Sequence, residues 1–223
     1  MACGVGILLP EESAALERLV HFMRAASFLL VGLMFASYSI VRPYSSETGS
    51  AGAEAFASWT WVLAHCFAML GFVVWGIVVL YSGRRSDPAI ITTWVGVGLV
   101  LPYYGAETFA LHALGVESVE MSTPTLIDLA DPIRYSVAQS VMFGLGLVLI
   151  AVGAVAFAHR NRYAAVLATG FVLLLPQFYA PPAVRIAHGL LIAVGAIVAA
   201  KHVSRRTAET VHPIPERRSM VAD

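Results

Sequence analysis

Six long stretches of this chain carry almost no charge, and that succession constrains its fold more than any other feature. The hydrocarbon core of a bilayer is about 30 Å thick, so a helix needs about 20 apolar residues to cross it. The first stretch lies between Arg24 and Arg42. The second lies between Glu54 and Arg84, with His65 inside it, and the third runs from Pro88 to Ala106. The fourth covers Tyr135 to Ala158, the fifth runs from Tyr163 to Pro181-Pro182, and the sixth from Pro182 to Ala200. Tandem prolines stop a helix by removing two amide donors, whereas a proline suits the first position of the next one. A soluble domain carries about 25% charged residues. Here 13% are charged and 58% hydrophobic, too few charges to cover a globule in water.

These stretches predict an all-α integral membrane protein, a six-transmembrane-helix bundle with lipid as its solvent. Residues 1–24 form an N-terminal segment, 25–203 the bundle and 204–223 a polar, disordered tail containing Pro213 and Pro215. Leu16, Leu19, Val20 and Met23 recur at helical spacing opposite Glu12, Glu17, Arg18 and His21. That pattern fits a short amphipathic helix lying on the inner surface, or an extension of the first span. Acidic residues precede the first apolar run where a signal peptide would be basic, so that run is expected to stay as a helix.

Arginine and lysine give the orientation, because cytoplasmic loops are enriched in them. With six spans, Arg18, Arg24, Arg84, Arg85, Arg160, Arg162 and the five basic residues from Lys201 onward face one side. Arg42, Arg134 and Arg185 alone face the other, where Glu47, Glu54, Glu117, Glu120, Asp128 and Asp131 also lie. Both termini are therefore expected in the cytoplasm. The preference for Arg over Lys and the abundance of Ala, Val and Gly suit a GC-rich bacterial genome, and the expected location is the bacterial inner membrane. A net charge of zero without a dense basic patch argues against nucleic acid. Cys3 and Cys66 have no metal or redox spacing.

A shift of 74 residues lays Leu99–Ala106 on Leu173–Ala180 and Ala64-His65 on Ala138-Gln139. This suggests a parallel repeat of helical hairpins. Pro102 and Pro176 fall at matching places and each should free a carbonyl one turn earlier, at Gly98 and Val172, bending its helix there.

The polar residues within the spans are confined to one side. His65 lies roughly 12 Å in from the outer end of its helix, and Gln139 and His188 about 9 Å in. Glu107, His112, Arg134, Gln177 and Arg185 fall at similar heights, whereas the inner half offers little beyond Thr92, Thr93 and Thr169. Charges inside a span are costly and usually face the bundle interior. The expectation is a pocket in the extracytoplasmic half lined by His65, Glu107 and His188, supported by Gln139, Arg134, Arg185 and His112.

Several chemistries would suit such a pocket. His65 and His188 could ligate haem b axially, or the two histidines with Glu107 could hold a divalent transition metal. Arg134 and Arg185 could clamp a small anion or lipid headgroup. A transporter or carrier subunit is the alternative reading, followed by a metal-dependent membrane hydrolase or a structural subunit in a homo-oligomer or membrane complex. Glu107 and His112 point about 140° apart on a regular helix and would share a site only if the helix breaks near Gly105 or Gly115. Trp59, Trp61, Tyr103, Tyr104 and Tyr135 read as an outer aromatic belt.

Overall fold

The computed structural model describes residues 10–82 and 87–211, which are mostly helical and contain no strand. Ten α-helices run α1 (Pro10–Val41), α2 (Gly49–Ala57), α3 (Trp59–Ser82), α4 (Pro88–Gly105), α5 (Leu111–Glu120), α6 (Ala130–Arg134), α7 (Val137–Arg160), α8 (Ala165–Val172), α9 (Leu174–Gln177) and α10 (Pro182–Val211). A π-helical turn, Ala106–Ala110, joins α4 to α5, and 3-10 turns precede α6 and α8. Arg84, Arg85, Cys3 and the tail with Pro213 and Pro215 lie outside the described residues.

Five helical stretches are long and apolar enough to cross a membrane: Arg18–Val41, Trp59–Ser82, Pro88–Glu120, Val137–Arg160 and Pro182–Arg205. The fifth apolar stretch of the sequence is instead a shorter helical segment, Arg162–Gln177. It is also interrupted, because α8 ends at Val172 and α9 begins at Leu174. Pro176 explains the break, since it has no amide to donate to the Val172 carbonyl. Pro102 acts otherwise. α4 continues through Gly98 without interruption, and the irregularity appears just downstream as the π turn.

Three boundaries differ from the expectation. Residues 10–41 form one unbroken helix, so the amphipathic segment 11–23 continues the first span. The last helix runs to Val211, beyond the boundary expected at residue 203. At its start the second apolar stretch is cut by Ser58, which separates the short helix α2 from α3.

α1 packs chiefly on α10 and α3, α4 on α7, and α8 against both α7 and α10. The α4–α7 crossing is close because Gly96 and Gly146 meet there: a Cβ on Gly96 would lie 2.7 Å from the Gly146 carbonyl oxygen. The main core is aromatic, with Phe35 edge-on to Phe72 at 5.0 Å and Trp75 stacked on Phe171 at 4.6 Å. A second, smaller cluster caps one end of the bundle, where α2, α5 and the segment 124–134 gather around Phe56, Trp61, Leu111 and Ile127. The candidate site lies beneath this cap. The opposite end is marked by Asp87, which caps α4 through the amide of Ala89 and pairs with Arg160.

Candidate functional site

Glu107 is the centre of the site, and the π turn puts it there. Such turns widen the helix by one residue and recur at functional positions. In the π register the amide of Leu111 bonds the carbonyl of Ala106. The carbonyl of Glu107 thereby loses that amide, and the indole Nε1–H of Trp61 donates to it at 2.6 Å. The re-registered helix directs the Glu107 carboxylate inward, where it is only 3% exposed.

A chain of charges runs from this carboxylate. Arg134 at the end of α6 grips it with two hydrogen bonds, Nε to Oε1 at 2.8 Å and Nη2 to Oε2 at 3.2 Å. Arg134 also meets Glu47 Oε2 at 2.7 Å, and Arg42 meets Glu47 Oε1 at 2.7 Å. Trp61 lies among these cations, with the Arg42 and Arg134 guanidiniums 5.3 and 5.9 Å from its ring centroid. Burial alone would push the Glu47 carboxyl up, but the adjacent guanidiniums of Arg42 and Arg134 outweigh it and hold Glu47 below the usual carboxylate range. Burial likewise disfavours charge on Arg134, and Glu107 and Glu47 together override it and raise its pKa.

His65 completes the chain. Its Nδ1 lies 2.7 Å from the carbonyl of Trp61, one turn earlier on α3. A carbonyl can only accept, so Nδ1 carries the hydrogen in the neutral ring. Nε2 therefore turns its lone pair toward Glu107 Oε2, 3.7 Å away. Two acceptors facing each other at this distance leave a place for a proton or for a donor brought by a ligand.

All of this borders one cavity of about 440 Å³. Arg42, Glu47, His65, Glu107 and Arg134 form its charged side, and Phe143, Leu175 and Phe178 an apolar side. Tyr135 and Tyr179, 60% and 88% exposed, stand at its edge. Arg185, in the first turn of α10, also lines it.

The chain matches no protein family, curated protein or solved structure. The site must therefore be read from its own geometry.

Four of the seven residues singled out from sequence line this cavity: His65, Glu107, Arg134 and Arg185. The other three do not. His188 Nε2 is 2.8 Å from the carbonyl of Gly170 on α8, and the ring borders a separate crevice of about 10 Å³. His112 Nδ1 lies 2.8 Å from the carbonyl of Phe56 and its ring packs near Trp59, inside the cap. Gln139 is half-buried, does not line the cavity, and its amide nitrogen makes no hydrogen bond among the described residues. The set His65, His188 and Glu107 is thus not assembled. Among the described residues no three His, Cys, Asp or Glu side chains gather as metal ligands. The residues present do not fit a metal held by that set, or a haem held between His65 and His188, because His188 is turned to the α8 backbone.

Two groups of site residues were missed. Glu47 and Arg42 looked like loop and helix-end residues, yet they bridge α1 to α6. Trp61 and Tyr104, 0% and 1% exposed, belong to the core and not to an aromatic belt, unlike Trp59 at 78%. The spacing of Trp61 and His65 by four was the available signal, since such residues share a helix face.

Proposed function

We propose that the chain is a six-span protein of the bacterial inner membrane, with both termini cytoplasmic, whose cavity binds a small ligand entering from the extracytoplasmic side. The observation that carries this reading is the placing of Glu107, Arg134 and His65 along a cavity. Buried ion pairs that serve only packing are normally enclosed by protein, because open space beside them forfeits contacts without returning the charges to water. Here Glu107 and Arg134, 3% and 5% exposed, border a cavity with a charged side.

The six-span count has support of its own. Arg160 meets Asp87 at one end of the bundle, and Phe178 lines the cavity at the other. This supports reading the stretch between them as a sixth crossing. Arg162–Gln177 spans about 24 Å at 1.5 Å per residue, and the non-helical turn 178–181 adds to its reach. With six crossings the excess of basic residues falls on one face, as the positive-inside rule requires.

Two measurements test the reading. A fluorescent protein fused to the C-terminus should fluoresce and a periplasmic phosphatase fused there should stay inactive; the reverse pattern refutes the topology. For the cavity, a panel of small anionic, neutral and cationic solutes is screened by thermal unfolding of the detergent-purified chain. At least one should raise the Tm of the wild type and leave Gly144→Leu unmoved. Gly144 lines the cavity and a Cβ there meets nothing within 4 Å, so the leucine fills space without a backbone clash. A panel that shifts neither protein, or both equally, refutes the cavity as a binding site.

A further inference from the structure

We propose that the ligand is a small organic monoanion, a monocarboxylate or its chemical equivalent, and that Arg185 holds its charged group. This deepens the cavity reading above and depends on it.

The argument is a balance of charge at named atoms. Three guanidiniums line the cavity, those of Arg42, Arg134 and Arg185, against two carboxylates, Glu47 and Glu107. Arg42 and Arg134 are already paired: each takes one oxygen of Glu47, and Arg134 takes both oxygens of Glu107. Of the expected clamp of Arg134 and Arg185, Arg134 is therefore already occupied, and Arg185 remains.

Arg185 is held differently. Its Nε donates to the carbonyl of Ala180 at 2.9 Å and its Nη2 to the carbonyl of Phe178. These carbonyls belong to the turn between α9 and α10 and fix the guanidinium in place without neutralising it. Among the described residues no carboxylate pairs with Arg185, and its Nη1 makes no hydrogen bond. A guanidinium at the end of an apolar span that is oriented by backbone and lacks a counter-charge is a prepared anion site. The sign of the cavity agrees. Its lining carries one excess positive charge with His65 neutral and more with His65 protonated, so an anion is attracted in either state.

The apolar side gives the rest of the ligand. Phe143 stacks on Tyr103 with centroids 4.0 Å apart and meets Phe178 edge-on at 5.3 Å. Leu175 and the open space beside Gly144 extend that wall. A flat apolar body attached to the anionic group would cover it, whereas an inorganic anion would leave it uncovered.

The test uses benzoate, its neutral isostere benzamide, and inorganic phosphate on the full chain in detergent, read as Tm against concentration. Benzoate should raise Tm saturably, and benzamide and phosphate should not. In Arg185→Gln the benzoate concentration for half-effect should rise about tenfold or more, the loss of one charge-assisted contact. Arg185→Lys keeps the charge without the fork and should lie between, a control should the glutamine variant fold poorly. Equal shifts by benzoate and benzamide, both abolished in Gly144→Leu, overturn the charge assignment while the cavity reading stands. A phosphate shift equal to that of benzoate overturns the organic ligand. A benzoate shift that survives Arg185→Gln unchanged overturns the role of Arg185. No benzoate shift at all overturns the proposal, and the wider solute panel then decides separately whether the cavity binds anything.

Discussion

Two buried carboxylates belong to the continuous helical stretch Pro88–Glu120, Asp87 as the cap just before its start and Glu107 within it, and the two are handled in opposite ways. Asp87 is 6% exposed and is satisfied close to home. It caps its own helix through the amide of Ala89 at 3.0 Å, and its one distant partner, Arg160, is half exposed. From its own helical stretch Glu107 meets only a side chain, that of Tyr103 one turn earlier, and caps no backbone amide that the structure records. Its charged partners come from α6 and α3, the π turn is required to aim it, and a cavity lies alongside. The first carboxylate shapes a helix end. Around the second the fold has been built, with an irregular turn, a buried guanidinium and an indole bonded to the displaced carbonyl. Burial alone does not separate the two; the backbone amide that Asp87 caps, against the buried two-point guanidinium that Glu107 requires, does.

The largest effect should come from breaking the Glu107 side. Arg134→Ala leaves a buried carboxylate without its two-point partner, and removing one member of a buried pair costs about 3–5 kcal/mol. Chemical unfolding in detergent micelles measures this. A loss within about 1 kcal/mol, the range of exposed pairs, would show that Glu107 is already hydrated or protonated and would erase the contrast with Asp87.

Next in size is the crossing that carries the Glu107 helix past α7. A side chain on Gly146 would place its Cβ 2.7 Å from Val100 Cγ2 and 2.9 Å from the Gly96 carbonyl oxygen. Gly146→Val should therefore cost about 1–3 kcal/mol through overpacking. Gly144→Val, two residues away on the same helix with open space at its Cβ, should cost far less. Equal losses would mean that the interface yields and that α4 is not held tightly enough to position the π turn.

The Asp87 side should answer weakly. Asp87→Ala removes a helix cap, worth about 1 kcal/mol, and a pair with a half-exposed arginine, which adds up to about 1 kcal/mol more. Ligand-induced Tm shifts should be unchanged in this variant. A lost ligand response would place Asp87 in the same coupled system as Glu107.

How much of this was legible in the sequence follows the same division. Ionisable residues inside apolar stretches stand out, so His65, Glu107, Arg134 and Arg185 could be named and assigned a common height. Height does not give direction. His188 has the right depth but turns to the Gly170 carbonyl, because the neighbour that a helix face meets depends on the packing of α10 against α8. The π turn was hidden because Pro102 was expected to bend the helix upstream, at Gly98. Instead the irregularity lies downstream, where Trp61 could take up a freed carbonyl. The helical segment in the fifth apolar stretch is shorter than that run suggests, since the run counts residues and not the break that Pro176 imposes.

The smallest effect belongs to Glu47, and it separates the two ends of the bundle by pH. Folding holds this carboxyl below its ordinary value of 4.5, so the folded state favours the anion. The stabilisation is therefore complete at neutral pH. It begins to fall as the pH drops through about 4.5 and is lost once the pH is below the folded-state value. Glu47→Gln should be less stable than the wild type near neutrality and should converge with it in acid. The convergence should appear as a flatter acid limb in Tm against pH from about 3 to 7. A variant that stays parallel to the wild type across that range would show that Glu47 contributes by shape and not by charge. Arg42 and Arg134 would then have to be held by Trp61 and Glu107 alone, and the site would be a single ion pair, as at Asp87, instead of a chain of charges.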